Sequence, residues 1–126
     1  MKIMVVDDDP DVIYVLVNIL SRYGCEVVGL TDPKKCVETV KKEKPDVIFL
    51  DVMMPDINGW EVCKRLKEDP ATSGIFISML TVRREDEDKK KSLEYAGANK
   101  HLCKPINLTE IKEVVEGADG KGLNLT

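Results

Sequence analysis

The chain has one histidine, one tryptophan and two phenylalanines in 126 residues, and its four cysteines form no C-x-x-C pair. Cys25, Cys36, Cys63 and Cys103 with a lone His101 do not make a structural zinc set. Each cysteine falls in a predicted strand or helix, so the thiols read as small buried apolar side chains. No apolar run approaches the ~20 residues that a bilayer span requires. The apolar stretch before the first aspartate is too short to be the core of a signal peptide, so the expected compartment is the cytoplasm, with no membrane contact. There is no basic excess either: 19 Lys and Arg face 23 Asp and Glu, a net charge of −4, which argues against direct nucleic-acid binding. No G-x-G-x-x-G follows the first strand, which disfavours a dinucleotide site.

What is present is a folding domain. Hydrophobic residues make up 43% and charged residues 33%, a balance that disorder does not show. The length suits one domain with its own core. Apolar runs recur at regular intervals. Ile3 to Val6 reads as a buried strand. Asp9 and Pro10 then open a helix that Gly24 closes. "CEVVGL" is a second strand. Asp32 and Pro33 repeat the helix start, and Pro45 ends that helix. "DVIFLD" is apolar between its acids, as in a strand covered on both faces. "NGWEVCKRLKEDP" is a third helix and "IFISML" a fourth strand. Residues 83 to 96 form a charged fourth helix closed by Gly97. "KHLCK" is a fifth strand, and Asn107 with Glu110 caps a last helix. Five strands alternating with five helices predict an α/β fold, a doubly wound, flavodoxin-like parallel sheet of order 2-1-3-4-5 with helices on both faces. The domain is expected over residues 1–116, with 117–126 a flexible C-terminal tail and no output domain.

In open sheets of this kind the ligand crevice lies beyond the carboxyl ends of the strands. Strand 1 ends in Asp7, Asp8 and Asp9, strand 3 in Asp51, strand 4 in Thr81 and strand 5 in Lys104. Strands ~4.8 Å apart bring Asp7 and Asp8 close to Asp51, with Thr81 and Lys104 on its other side. Three acids at one edge suit a hard divalent cation such as Mg²⁺. A carboxylate beside a metal, a lysine and a hydroxyl is equipped for phosphoryl transfer. Read alone, the Asp run could be only a helix cap and dipole complement. Only Asp9 is needed for that purpose, and four such residues at one sheet edge call for more.

"VVDDDP", "VIFLDVMMPDINGWEV", "MLT" and "CKPI" together resemble the receiver domains of two-component response regulators. The resemblance implies that Asp51 accepts a phosphoryl group from a sensor histidine kinase or phosphotransfer protein. It implies Mg²⁺, with Mn²⁺ as a substitute, held by Asp8 directly, by Asp7 largely through water, by Asp51, and by the backbone carbonyl of Met53. Thr81 and Lys104 would meet the phosphoryl oxygens, and the Lys104–Pro105 bond would be cis. Output would pass to a downstream protein, unidentified, through the face of the fourth helix, fifth strand and fifth helix. The resemblance leaves open whether phosphorylation drives dimers.

Two switch positions depart from the family pattern. Val82 follows Thr81 where alanine or glycine is usual, and His101 stands in place of tyrosine or phenylalanine. Two other functions compete with a self-phosphorylating signalling module. An aspartate-nucleophile phosphatase is disfavoured because Val52 and Met53 follow Asp51, with no second acid two residues on. An inert interaction domain is disfavoured because every acid, Thr81 and Lys104 are present.

Overall fold

The computed structural model describes residues 1–119. Its elements are β1 (Lys2–Val6), α1 (Pro10–Ser21), β2 (Glu26–Leu30), α2 (Cys36–Glu43), β3 (Val47–Leu50), α3 (Gly59–Glu68), β4 (Phe76–Thr81), α4 (Asp86–Lys90), β5 (Lys100–Cys103) and α5 (Leu108–Asp119). A 3-10 turn (Pro33–Lys35) leads into α2, and a small antiparallel hairpin pairs Met53–Met54 with Ile57–Asn58. The five main strands form one parallel sheet in the order β2-β1-β3-β4-β5, as the alternation predicts.

Strand periodicity splits the core in two. On β3, Val47 and Phe49 face one side and Ile48 and Leu50 the other, and all four are buried. Ile3, Val5, Val47 and Phe49 pack with Leu16 and Leu20 of α1 and with Ile111, Val114 and Val115 of α5. Met4, Val6, Ile48 and Leu50 pack with Val40 of α2 and with Trp60, Cys63 and Leu66 of α3. A strand apolar along its whole length is the consequence of helices on both faces.

The helix starts follow the polar signals. Asp9 accepts from the Asp11 N–H, Asp32 from Lys34, Asn58 from Trp60 and Asn107 from Glu110. Gly24 closes the α1 turn at φ 79°. Lys44, at φ 50°, ends α2 directly before Pro45.

Two segments differ from the sequence reading. The expected helix over 83 to 96 is α-helical only from Asp86 to Lys90 and continues as a π turn, Lys91–Tyr95. Its start is delayed because the Asp88 carboxylate binds the Glu85 N–H and the Arg83 guanidinium, leaving Arg83 and Arg84 in the loop. The wider turn directs Ser92 inward, where it is fully buried. At the other end, α5 runs past Glu116 through Gly117 and Ala118 to Asp119, because Ala118 continues the apolar stripe packed on the core. The rest of the expected tail, 120–126, lies outside the described residues. Among the described residues no helix is long and apolar enough to cross a membrane.

Candidate functional site

The sheet brings the expected residues to one edge. Asp7 continues β1, and its N–H donates to the Leu30 carbonyl. Asp51 continues β3, and its N–H donates to the Val6 carbonyl at 3.1 Å. Carboxylate oxygens of Asp7, Asp8 and Asp51 lie within 4.8 Å of one another. Asp7 and Asp51 are buried, whereas Asp8 is exposed. Asp9 points away and caps α1, so one acid of the run serves the helix and two serve the site.

Lys104 reaches across from the end of β5. Its Nζ donates to Asp7 Oδ2 at 2.8 Å and to Asp51 Oδ2 at 3.1 Å. The sequence placed Lys104 beside Asp51, and the structure adds the contact with Asp7. Lys104 is followed by a cis bond to Pro105, as the resemblance implies. Asp51 Oδ1 accepts the Met53 N–H at 3.2 Å, which orients the carboxylate within its own loop.

The electrostatics are unbalanced. Burial raises the Asp7 carboxyl above the usual carboxylate range, and the Asp51 charge adds to this against the pull of Lys104. Burial lowers the Lys104 ammonium, but its hydrogen bond to Asp7 and the charges of Asp51 and Asp7 outweigh that and raise it. A cluster of three carboxylates thus holds one ammonium, which contacts two of them. An oxygen-only donor set with surplus negative charge fits a hard divalent cation rather than zinc.

Thr81 ends β4 and is fully buried; its Oγ1 accepts the Arg83 N–H at 3.3 Å. Val82 and Met53 are both more than half exposed, at 59% and 51%. Met53, Pro55, Trp60 and Arg83 wall an open cleft beside the site. His101 lies half-buried on β5, with its ring between Ser92 Oγ (2.7 Å) and the Arg83 carbonyl (2.9 Å).

Three contributors escaped the sequence reading. Gly59 opens α3 so close to Asp51 that a Cβ there would lie 2.0 Å from the Asp51 carbonyl oxygen. Gly59 stands within the stretch "VIFLDVMMPDINGWEV" that carries the resemblance, but this approach is visible only in three dimensions. Ser92 and the Arg83–Asp88 pair sit in a stretch of alternating charge that carries no signal for inward contacts. Cys36 and Cys63 are inert core side chains: burial pushes their thiols up to about 12.

Residues 3–116 match the family model of the response regulator receiver domain. The chain is 37% identical over 115 residues to the alkaline phosphatase synthesis transcriptional regulatory protein PhoP of Bacillus subtilis, covering 91% of this chain and 47% of that protein. It is 32% identical to Protein PilH of Pseudomonas aeruginosa, covering 84% of this chain and 87% of PilH. A crystal structure of a putative response regulator from Chloroflexus aurantiacus superposes with a TM-score of 0.87 at 32% identity, covering 95% of this chain and 98% of that one. The chain thus spans about half the length of one of these curated relatives and most of the other.

Proposed function

The chain belongs to the response regulator receiver domain family of two-component signalling, and from that premise we propose that it is switched by phosphorylation of Asp51. The observation that carries this reading is the convergence of Asp7, Asp8 and Asp51 within 4.8 Å, with Lys104 hydrogen-bonded to Asp51. An Asp51 oxygen attacks phosphorus, forming an O–P bond as the P–N bond of a sensor kinase's phosphohistidine breaks. Lys104 holds Asp51 in place beforehand and pairs with the phosphoryl oxygens afterwards. The Thr81 hydroxyl accepts from Arg83 and still has its own proton to donate to a phosphoryl oxygen. Asp7, Asp8, Asp51 and the Met53 carbonyl would hold Mg²⁺, or Mn²⁺ in its place, which supplies positive charge against the phosphoryl oxygens. The domain promotes only its own loading and unloading, acts in the cytoplasm and signals to a downstream protein.

Intact mass after incubation with a small phosphodonor and Mg²⁺ tests this. One phosphoryl adduct is expected on the wild type and none on Asp51→Asn. An equal adduct on Asp51→Asn would place the acceptor elsewhere.

A further inference from the structure

Trp60, Ser92, His101, Arg83 and Thr81 come from α3, the π turn, β5 and the end of β4, yet one hydrogen-bonded chain joins them. Trp60 Nε1–H donates to Ser92 Oγ at 2.8 Å. Ser92 Oγ lies 2.7 Å from His101 Nδ1, and His101 Nε2 lies 2.9 Å from the Arg83 carbonyl. The Arg83 N–H donates to Thr81 Oγ1 at 3.3 Å. Ser92 and Thr81 are fully buried and Trp60 nearly so.

The proton positions follow from the partners. An indole N–H can only donate, and a backbone carbonyl can only accept. His101 Nε2 must therefore carry a proton for Arg83. In a neutral ring Nδ1 is then bare and accepts the Ser92 hydroxyl proton. The opposite tautomer would set an unprotonated nitrogen against a carbonyl oxygen at 2.9 Å, two acceptors with no proton between them. Every donor in the chain consequently points one way, from Trp60 toward Thr81, and the three bonds from Trp60 through Ser92 and the His101 ring to the Arg83 carbonyl share polarisable groups and reinforce one another.

We propose that this chain is how a change at Thr81 reaches α3 and the π turn, and that Ser92 is the positioning residue on which it depends. The proposal rests on the reading of Asp51 as the phosphoacceptor. When Thr81 turns its hydroxyl to a phosphoryl group, the link to Arg83, the longest in the chain, is the first to give. The Arg83 backbone carries that movement to the His101 ring, from its N–H across Cα to its carbonyl. Ser92 transmits it to the indole, because its one hydroxyl serves both His101 and Trp60. The switch is thus a rearrangement of bonded partners around a held imidazole.

Nuclear magnetic resonance of ¹⁵N-labelled protein with Mg²⁺ and beryllofluoride as phosphoryl mimic tests this, at pH 8 where an ordinary imidazole is neutral. In the unloaded wild type, His101 is expected to show a protonated Nε2 and a bare Nδ1. On loading, the amides of Val52 and Met53 should shift, and the Trp60 indole signal with them. Ser92→Ala should keep the amide response and lose the indole response. His101→Phe, which cuts the chain at the next link, should do the same. A proton on Nδ1 in the wild type overturns the proposal, as does an indole response of wild-type size in either variant. A wild type whose Val52 and Met53 amides ignore the mimic overturns the phosphoacceptor reading instead, and the tautomer result still judges the chain of bonds.

Discussion

Gly59 and Val82 show how single residues constrain the site from outside its charges. A Cβ on residue 59 would meet the Asp51 carbonyl oxygen at 2.0 Å and the Val52 Cα at 2.8 Å. Both obstacles are backbone, so α3 would have to back away from the Asp51 loop. Gly59→Ala is expected to destabilise the domain by about 2–3 kcal/mol, in the range of overpacked sites, and to weaken phosphorylation because it displaces Asp51. Urea unfolding at two probes checks the first, and a variant as stable as wild type would contradict the contact. Val82 acts differently. It is 59% exposed, so Val82→Ala should change stability by less than about 0.5 kcal/mol. Its branched side chain follows Thr81 in sequence, and it is expected to crowd the approach of water or phosphodonor to Asp51. Removing two methyl groups should speed both loading and loss, by up to about tenfold for each ~1.4 kcal/mol of barrier relieved. Single-turnover phosphate release from each protein decides it, and equal lifetimes would show that access past Val82 does not set the rate.

At the scale of elements, what was legible is what repeats. Strands such as Val47–Leu50 announce themselves by unbroken apolar character, and helices such as α1 by an Asp-Pro start and a glycine stop. The α4 region was not legible in the same way. Its charges satisfy many helical pairings equally well, and the choice among them is made by partners distant in sequence, such as Trp60 and His101. Asp88 is the decisive side chain there. Its carboxylate takes the Arg83 Nε–H at 2.8 Å and the Glu85 N–H at 3.2 Å. The Arg83 hydrogen bond holds the Asp88 carboxyl below its usual value of 3.8, against the opposing effect of burial. A carboxylate depressed on folding contributes stability that is present above its unfolded pKa and is lost as pH falls through the folded one. Asp88→Asn should therefore lower the melting temperature at pH 7, and its deficit should shrink as the pH drops below the ordinary carboxylate range. A deficit that stays constant from pH 7 to pH 3 would mean that the Asp88 charge is not what fixes the start of α4.

At the scale of the whole molecule, parallel topology converts four separated strand ends into one edge, which is why the site could be read before its geometry was known. Asp7, Asp51 and Thr81 each close an apolar run and Lys104 follows the last strand, and an order of 2-1-3-4-5 brings all four to one edge. The division of labour among them is a different matter, since Lys104 contacts both Asp7 and Asp51. Two positive charges would then serve the same acids, a resident ammonium and an arriving cation, and they need not be interchangeable. They differ in one partner: Lys104 already contacts the buried Asp7 and Asp51, whereas the exposed Asp8 makes no ion pair with it and would serve the cation alone. A ligand that binds only the folded state stabilises it by about 2.7 kcal/mol at a hundred times its dissociation constant. Mg²⁺ should accordingly raise the melting temperature of the wild type. Asp8→Ala should abolish that rise, because too few acidic ligands remain. Lys104→Ala should keep the rise or enlarge it, because removing the ammonium leaves the acids less neutralised before the metal arrives. The same variant should respond poorly to phosphorylation, having lost the partner of the phosphoryl oxygens. Thermal melts of the three proteins over a Mg²⁺ titration make the comparison. If Lys104→Ala lost the Mg²⁺ effect as completely as Asp8→Ala, ammonium and metal would share one role, and the separate assignments of Asp8 and Lys104 would fall together.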